Sequence, residues 1–191
     1  MKIRESGMPP EETWTGFFSV PHVLSALDCP AGPHDTVIEL GCGYGTFSLE
    51  VARRTAGPVY ALEIEAELVE SLARRAAAAG RRNLHALQRD VVAAGTGLPS
   101  AGADHVMAYN LLHLEDPVAL LREAWRVLRP GGVLSVIHWQ PDPATPRGPP
   151  LAIRPTPGQC CAWARDAGFP VAEPRVLGDA APWHYGLLFR R

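Results

Sequence analysis

The 191 residues suffice for one domain with a substantial core and are short for two, and a balance of 47% hydrophobic to 20% charged residues excludes disordered and fibrous architectures. A formal charge of −2 gives no general attraction to nucleic-acid backbones or anionic lipid, and no apolar run approaches the roughly 20 residues of a membrane span. The opening MKIRESGMPPEETW lacks the apolar core of a signal peptide, and Cys29, Cys42, Cys160 and Cys161 show neither CxxC nor Cys/His zinc spacing, so the expectation is a cytoplasmic chain with reduced thiols and no metal.

Residues 1–35 carry ETWTGFFSVPHVL, whose Trp14, Phe17 and Phe18 are expected either to form an N-terminal lid or to pack as a helix face on the body of the domain. TVIELGCGYGTF follows, Thr36 to Phe47: an apolar run into Glu39, then glycines at 41, 43 and 45. That is the pattern of a strand turning sharply into a helix, with glycines where the backbone must approach a ligand and a helix start that offers N–H groups. Phe47, Val51 and Ala52 have helical spacing and Gly57-Pro58 stops the run; PVYALEI then reads as a strand ending in Glu63. Strand, helix and strand in about thirty residues predict a right-handed βαβ unit.

The pattern repeats. In EAELVESLARRAAAAG, Leu68, Leu72 and Ala76 share one helical stripe, and the arginines at 74, 75, 81, 82 and 89 read as a solvated face rather than a nucleic-acid patch. LHALQRD is a strand ending in Asp90, and VVAAGTGLPSAG is too broken for a long helix. Ala103 to Asn110 is the next strand, and Asp116-Pro117 opens a helix with Leu121, Ala124, Trp125 and Leu128 on its buried face, ended by Pro130-Gly131-Gly132. Val133 to Trp139 is an apolar strand covered on both faces. The proline-rich stretch 140–157 cannot be regular structure and leaves the carboxyl end of a central strand, so a functional loop is expected. A helix, GQCCAWARDAGF, and two strands, PRVLGD and HYGLLFRR, complete a largely parallel α/β domain.

The glycines read G-x-G-x-G rather than the dinucleotide G-x-G-x-x-G, with Thr46 where the last glycine belongs, although Glu63 lies 22 residues after Gly41 as a ribose-binding acid would. Glu39 would repel a pyrophosphate and attract a ligand carrying an ammonium group. Asp90 ends the following strand, where it can accept from an adenine amine. With VIELGCGYG, VYALEI, LQRDVV, ADHVMAYNLLH and LRPGGVLSV in this order and spacing, the chain from Thr36 to Arg191 resembles the class I S-adenosylmethionine-dependent methyltransferases, in particular the small-molecule type 11 group.

The resemblance implies a Rossmann-like, doubly wound seven-stranded sheet with the last strand antiparallel, S-adenosyl-L-methionine as cofactor, and methyl transfer by in-line displacement. It places Glu39, Gly41 and Gly43 at the methionine moiety, with Cys42, Gly45 and Thr46 completing the turn. Glu63 with Ile64 falls at the ribose, Asp90 with Val91 at the adenine, and Asn110 with Leu111 at the sulfonium side. YNLLH replaces the NPPY-like motif of base- and amide-modifying members and offers no acidic metal ligand of the catechol type, so a metal-free small-molecule methyltransferase is expected. His113 and His138 are candidate general bases, and Trp14, Phe17, Phe18, Trp139, Arg147 and Arg154 candidate acceptor contacts, the arginines for a carboxylate or phosphate. The alternatives are a nicotinamide-dependent oxidoreductase and a non-catalytic nucleotide-sensing domain of the same fold.

Overall fold

The structure is a computed structural model, described over residues 8–142 and 145–191. Residues 1–7 of the N-terminal segment, and Pro143 and Ala144 of the proline-rich stretch, lie outside the described residues. In chain order the elements are α1 (Glu11–Thr15), α2 (Val20–Ala26), β1 (Val37–Leu40), α3 (Thr46–Arg54), β2 (Val59–Glu63), α4 (Ala66–Ala78), β3 (Leu84–Gln88), α5 (Val91–Ala94), β4 (Ala103–Tyr109), α6 (Pro117–Val127), β5 (Leu128–Trp139), α7 (Pro157–Asp166), β6 (Ala172–Arg175) and β7 (His184–Arg190).

The strands form one seven-stranded sheet in the order β3-β2-β1-β4-β5-β7-β6. β1 pairs in parallel with β2 and β4, β2 with β3 and β4 with β5, while β7 runs antiparallel to both β5 and β6. Strand alternation sends residues to two cores. Val37, Met107 and Ile137 meet Leu24 of α2, Phe47 and Val51 of α3 and Leu72 of α4 on one face. Ile38, Val106 and Val136 meet Leu121 and Ala124 of α6 and Ala164 of α7 on the other. Helices thus cover both faces of a mostly parallel sheet, and the reversal of strand order at β1 and β4 opens a crevice at the carboxyl ends, where ligands of such sheets bind.

Three local expectations are corrected. The helix before the fifth strand ends at Val127, not at Pro130-Gly131-Gly132: Leu128 pairs with Ala103, and the chain bulges before His105 meets Val133. Backbone bonds between Gly131 and Gly132 and the terminal Arg191 hold that bulge in the sheet, so Leu128 belongs to the strand rather than to the helix face. The sixth strand is Ala172–Arg175 rather than 174–179, because Val176 is 91% exposed while Leu177 turns into the core and Gly178–Ala180 form a 3₁₀ turn. Within the proline-rich stretch, Leu151–Ile153 form a 3₁₀ turn, and α7 begins at Pro157, where Thr156 and Gln159 make a reciprocal capping box. The N-terminal segment divides: Phe18, Val23, Leu24 and Leu27 are buried in the core, whereas Met8, Pro9 and Trp14 line the crevice.

All four cysteines are free thiols, and three of them are buried. No helix of the described residues is long and apolar enough to cross a membrane.

Candidate active site

A cavity of about 570 Å³ opens at the carboxyl ends of β1, β2 and β4, within the usual size range for small-molecule sites. Its floor is the glycine turn. Gly41 and Gly43 have φ of +66° and +53°, a region costly for residues with a Cβ. A Cβ on Gly41 would stand 3.3 Å from Leu111, and one on Gly43 2.4 Å from the Met8 thioether. The Cys42 N–H donates to the Leu62 carbonyl (2.9 Å), which ties the turn to β2.

Three acids line this lobe. Glu63, buried at the end of β2, accepts from the N–H groups of Gly43 (2.8 Å), Ile64 (2.7 Å) and Glu65 (3.2 Å), which fixes its carboxylate against the turn. Glu39 is 2% exposed and accepts the Ser48 hydroxyl. Burial pushes its pKa up to about 8; the Ser48 bond opposes the shift and the Glu63 charge adds to it. Near neutrality Glu39 is therefore the neutral acid. Asp90 lines the cavity and caps α5 by accepting from Val92 (3.1 Å) and Ala93 (2.9 Å).

Asn110 closes the lobe. Its φ is +54°, its backbone N–H donates to Ile137 (2.7 Å), and both polar atoms of its side chain are buried with no partner among the described residues. A buried amide left unpaired at a cavity wall is costly unless a ligand completes it. Residues 8–15 lie across the mouth: the Tyr44 hydroxyl donates to the Pro9 carbonyl (3.1 Å), and Arg75 reaches Glu11 (2.6 Å).

The other lobe is lined by Trp14, Tyr109, His113, Trp139, the Arg147–Pro150 segment and Ile153. His113 Nδ1 and His138 Nε2 are 3.1 Å apart. Burial lowers the pKa of both rings, so both are neutral near pH 7 and share one hydrogen across that contact. His113 Nε2 makes no hydrogen bond among the described residues. The Tyr109 hydroxyl is held by Ser135 (2.9 Å), which also contacts His105 Nε2 (2.7 Å).

Several expected site residues stand elsewhere. Gly45 is the N-cap of α3 (φ +71°), and Leu72 packs where its Cβ would be. Thr46 faces a separate groove between α2, α3 and α4. Phe18 is buried against Phe47 (ring centroids 5.1 Å) and His184 (4.6 Å), and Phe17 packs edge-on to Trp139 (5.2 Å), so neither lines the cavity. His138 lies beneath His113, fully buried. Arg154 is turned inward: its guanidinium donates to the carbonyls of Pro149 (2.8 Å), Gln140 (3.1 Å) and Arg147 (3.3 Å) and lies 5.6 Å from the Trp139 ring. Gly148 makes that clamp possible, since a Cβ there would sit 2.9 Å from both Arg154 and Trp139. Ser48 was not anticipated, although it shares the buried face of α3 with Phe47, Val51 and Ala52. A polar residue on that stripe is a signal that a buried partner exists.

A family model described as a methyltransferase domain matches residues 37–132. Trans-aconitate 2-methyltransferase of Azoarcus sp. (strain BH72) is 35% identical over 156 residues, 80% of this chain and 55% of that protein. Dimethylglycine N-methyltransferase of Parasynechococcus marenigrum (strain WH8102) is 32% identical over 131 residues, 65% of this chain and 44% of that protein. The chain thus spans about half the length of these curated relatives. A solved S-adenosylmethionine-dependent methyltransferase from Aquifex aeolicus superposes with a TM-score of 0.79 over 95% of this chain and 93% of that one, at 22% identity, a likeness of fold.

Proposed function

The chain belongs to the class I S-adenosylmethionine-dependent methyltransferases, of the type 11-like group, and from that premise we propose that its cavity carries out methyl transfer from this cofactor to a small-molecule acceptor in the cytoplasm. The observation that carries the reading is Glu39: a buried carboxyl lining the same cavity as an unpaired amide, over a turn whose glycines hold positive φ. The donor set fits the cofactor. Glu39 and the Asn110 amide suit its ammonium and carboxylate, Gly41 and Gly43 leave room for the methionine moiety, Glu63 with Ile64 suits the ribose and Asp90 with Val91 the adenine. Bound there, S-adenosylmethionine supplies a methyl group on a positively charged sulfur, an electrophile that needs alignment and exclusion of water more than activation.

The chain's own residues meet those needs. Asn110 and Leu111 close the inner wall, and residues 8–15 serve as a cover, supported by the Tyr44–Pro9 and Arg75–Glu11 contacts. His113 holds the nucleophilic group of the acceptor at Nε2 and takes its proton where it has one; His138 fixes the ring from behind. Because burial lowers the pKa of His113, the ring is neutral near pH 7, and with its hydrogen on Nδ1, donated to His138 Nε2, its own Nε2 is free to accept.

The test is calorimetry with S-adenosylhomocysteine and with NAD, followed by transfer of labelled methyl to a metabolite panel. Binding of S-adenosylhomocysteine and not of NAD, with label in a small molecule, is expected. Tighter binding of NAD would replace the reading with the oxidoreductase, and cofactor binding without transfer to any acceptor would favour a sensing domain.

A further inference from the structure

The acids of the cavity are gathered at one end of it, where Arg89 is the one cation among the described lining residues and its guanidinium is taken up by the carbonyls of Ala94 and Gly95. Every carboxylate that lines the cavity, Glu39, Glu63 and Asp90, belongs to the glycine-turn lobe. The acceptor lobe has none. It has instead Arg147, an exposed lining residue whose guanidinium makes no hydrogen bond or ion pair among the described residues. Behind it lies Arg154, 9% exposed, whose guanidinium is answered only by carbonyls and the Trp139 ring. A buried cation without a carboxylate beside it keeps its field, and burial accordingly lowers the Arg154 pKa.

From this distribution we infer that the acceptor is an anion, a small carboxylate gripped by Arg147; the assignment rests on the methyltransferase reading of the same cavity. An ammonium-bearing acceptor would meet two guanidinium charges and no acid. Nor would it find an open aromatic face on Trp139, which already has Arg154 at 5.6 Å and His184 at 4.2 Å from its ring centre. The guanidinium fork of one arginine matches the two oxygens of a carboxylate. A phosphate dianion needs more donors, and of the three residues after Arg147 only Gly148 has an N–H, Pro149 and Pro150 having none to give.

The test is calorimetry on the full chain saturated with S-adenosylhomocysteine, using four probes of similar shape: phenylacetate, phenylacetamide, phenethylammonium and benzylphosphonate. Phenylacetate is expected to bind about tenfold or more tightly than the other three. Arg147→Ala should reduce the acid-to-amide ratio to near one, Arg147→Lys should restore part of it, and Arg147→Glu should favour the ammonium probe. A role for Arg147 in packing alone would not invert the charge preference. Equal affinities, a preference for the ammonium or the phosphonate, or no phenylacetate binding would each overturn the inference in a chain that still binds S-adenosylhomocysteine. Failure of the wild-type chain to take up S-adenosylhomocysteine would instead bring down the cofactor reading.

Discussion

The lobe under the glycine turn and the lobe under the proline-rich loop share one cavity but are built by different means. The first is made at the ends of β1, β2 and β4, where each acid is held by backbone N–H groups or by a neighbouring helix. The second is assembled from Trp14, His113, Trp139 and Arg147, which are remote in sequence and are set by side-chain contacts. The contrast teaches where each kind of specificity resides: the sheet fixes a cation-accepting end, and the loop sets an anion-accepting end against it.

The comparison breaks most sharply at Glu39. Glu39→Gln should weaken S-adenosylhomocysteine binding by about 30-fold or more, as expected when one side of a buried charge contact is lost. The same change should stabilise the empty fold at pH 7.5. With a folded pKa of about 8, against the ordinary carboxyl range unfolded, the folded chain holds a proton that the unfolded chain has released. The stability contributed by the neutral form is fully present below the unfolded pKa and is lost as pH rises through about 8. Melting temperature against pH should therefore slope downward for the wild type and flatten in Glu39→Gln.

A smaller effect is expected at Arg154, which sharpens the contrast from the other side. Arg154→Gln leaves the carbonyls of Gln140, Arg147 and Pro149 without their shared donor, a cost of about 1–3 kcal/mol. Acceptor KM should rise about tenfold while S-adenosylhomocysteine affinity stays within about twofold, because the clamp reaches only one lobe. An equal loss in both lobes would show that they are not independent.

The smallest structural effect separates the two duties of Asp90. Asp90→Ala should cost about 1 kcal/mol through the lost cap, whereas Asp90→Asn keeps a capping oxygen and should stay within about 0.5 kcal/mol of the wild type by denaturant unfolding. Both should weaken cofactor binding several-fold. If only the alanine variant does, Asp90 is a cap and not an adenine contact.

The sheet-built lobe was legible because its signals are local. Glycines that need positive φ, an acid inside an apolar strand and acids at strand ends are imposed by the backbone itself, and Gly41, Gly43, Glu39, Glu63 and Asp90 all stand in the cavity. Strand alternation would also have separated the two candidate histidine positions: His138 follows Leu134 and Val136 toward the α6 and α7 core, so it lies behind the wall rather than in it. Arg154 was not legible. Its direction is decided by the carbonyls of three residues spread over 140–149, and its sequence neighbours do not reveal that they converge. Thr46 was misplaced because a fingerprint position in sequence does not say which side of the helix start faces the ligand. The boundaries of β5 and β6 escaped for a similar reason: Arg191 holds the bulge of one, and burial of Leu177 ends the other, both by contacts distant in sequence.

The central claim is that the glycine-turn lobe is built for a nucleoside ligand bearing an ammonium group, and that Glu39 stays neutral until that ligand arrives. It is tested most directly by titrating the chain with S-adenosylhomocysteine at pH 7 in two buffers of different ionisation enthalpy. The account predicts one-to-one binding with net release of up to one proton, as Glu39 ionises against the ligand ammonium, and loss of that release in Glu39→Gln. Binding with no proton release in the wild type, or tighter binding of NAD at the same site, would contradict it.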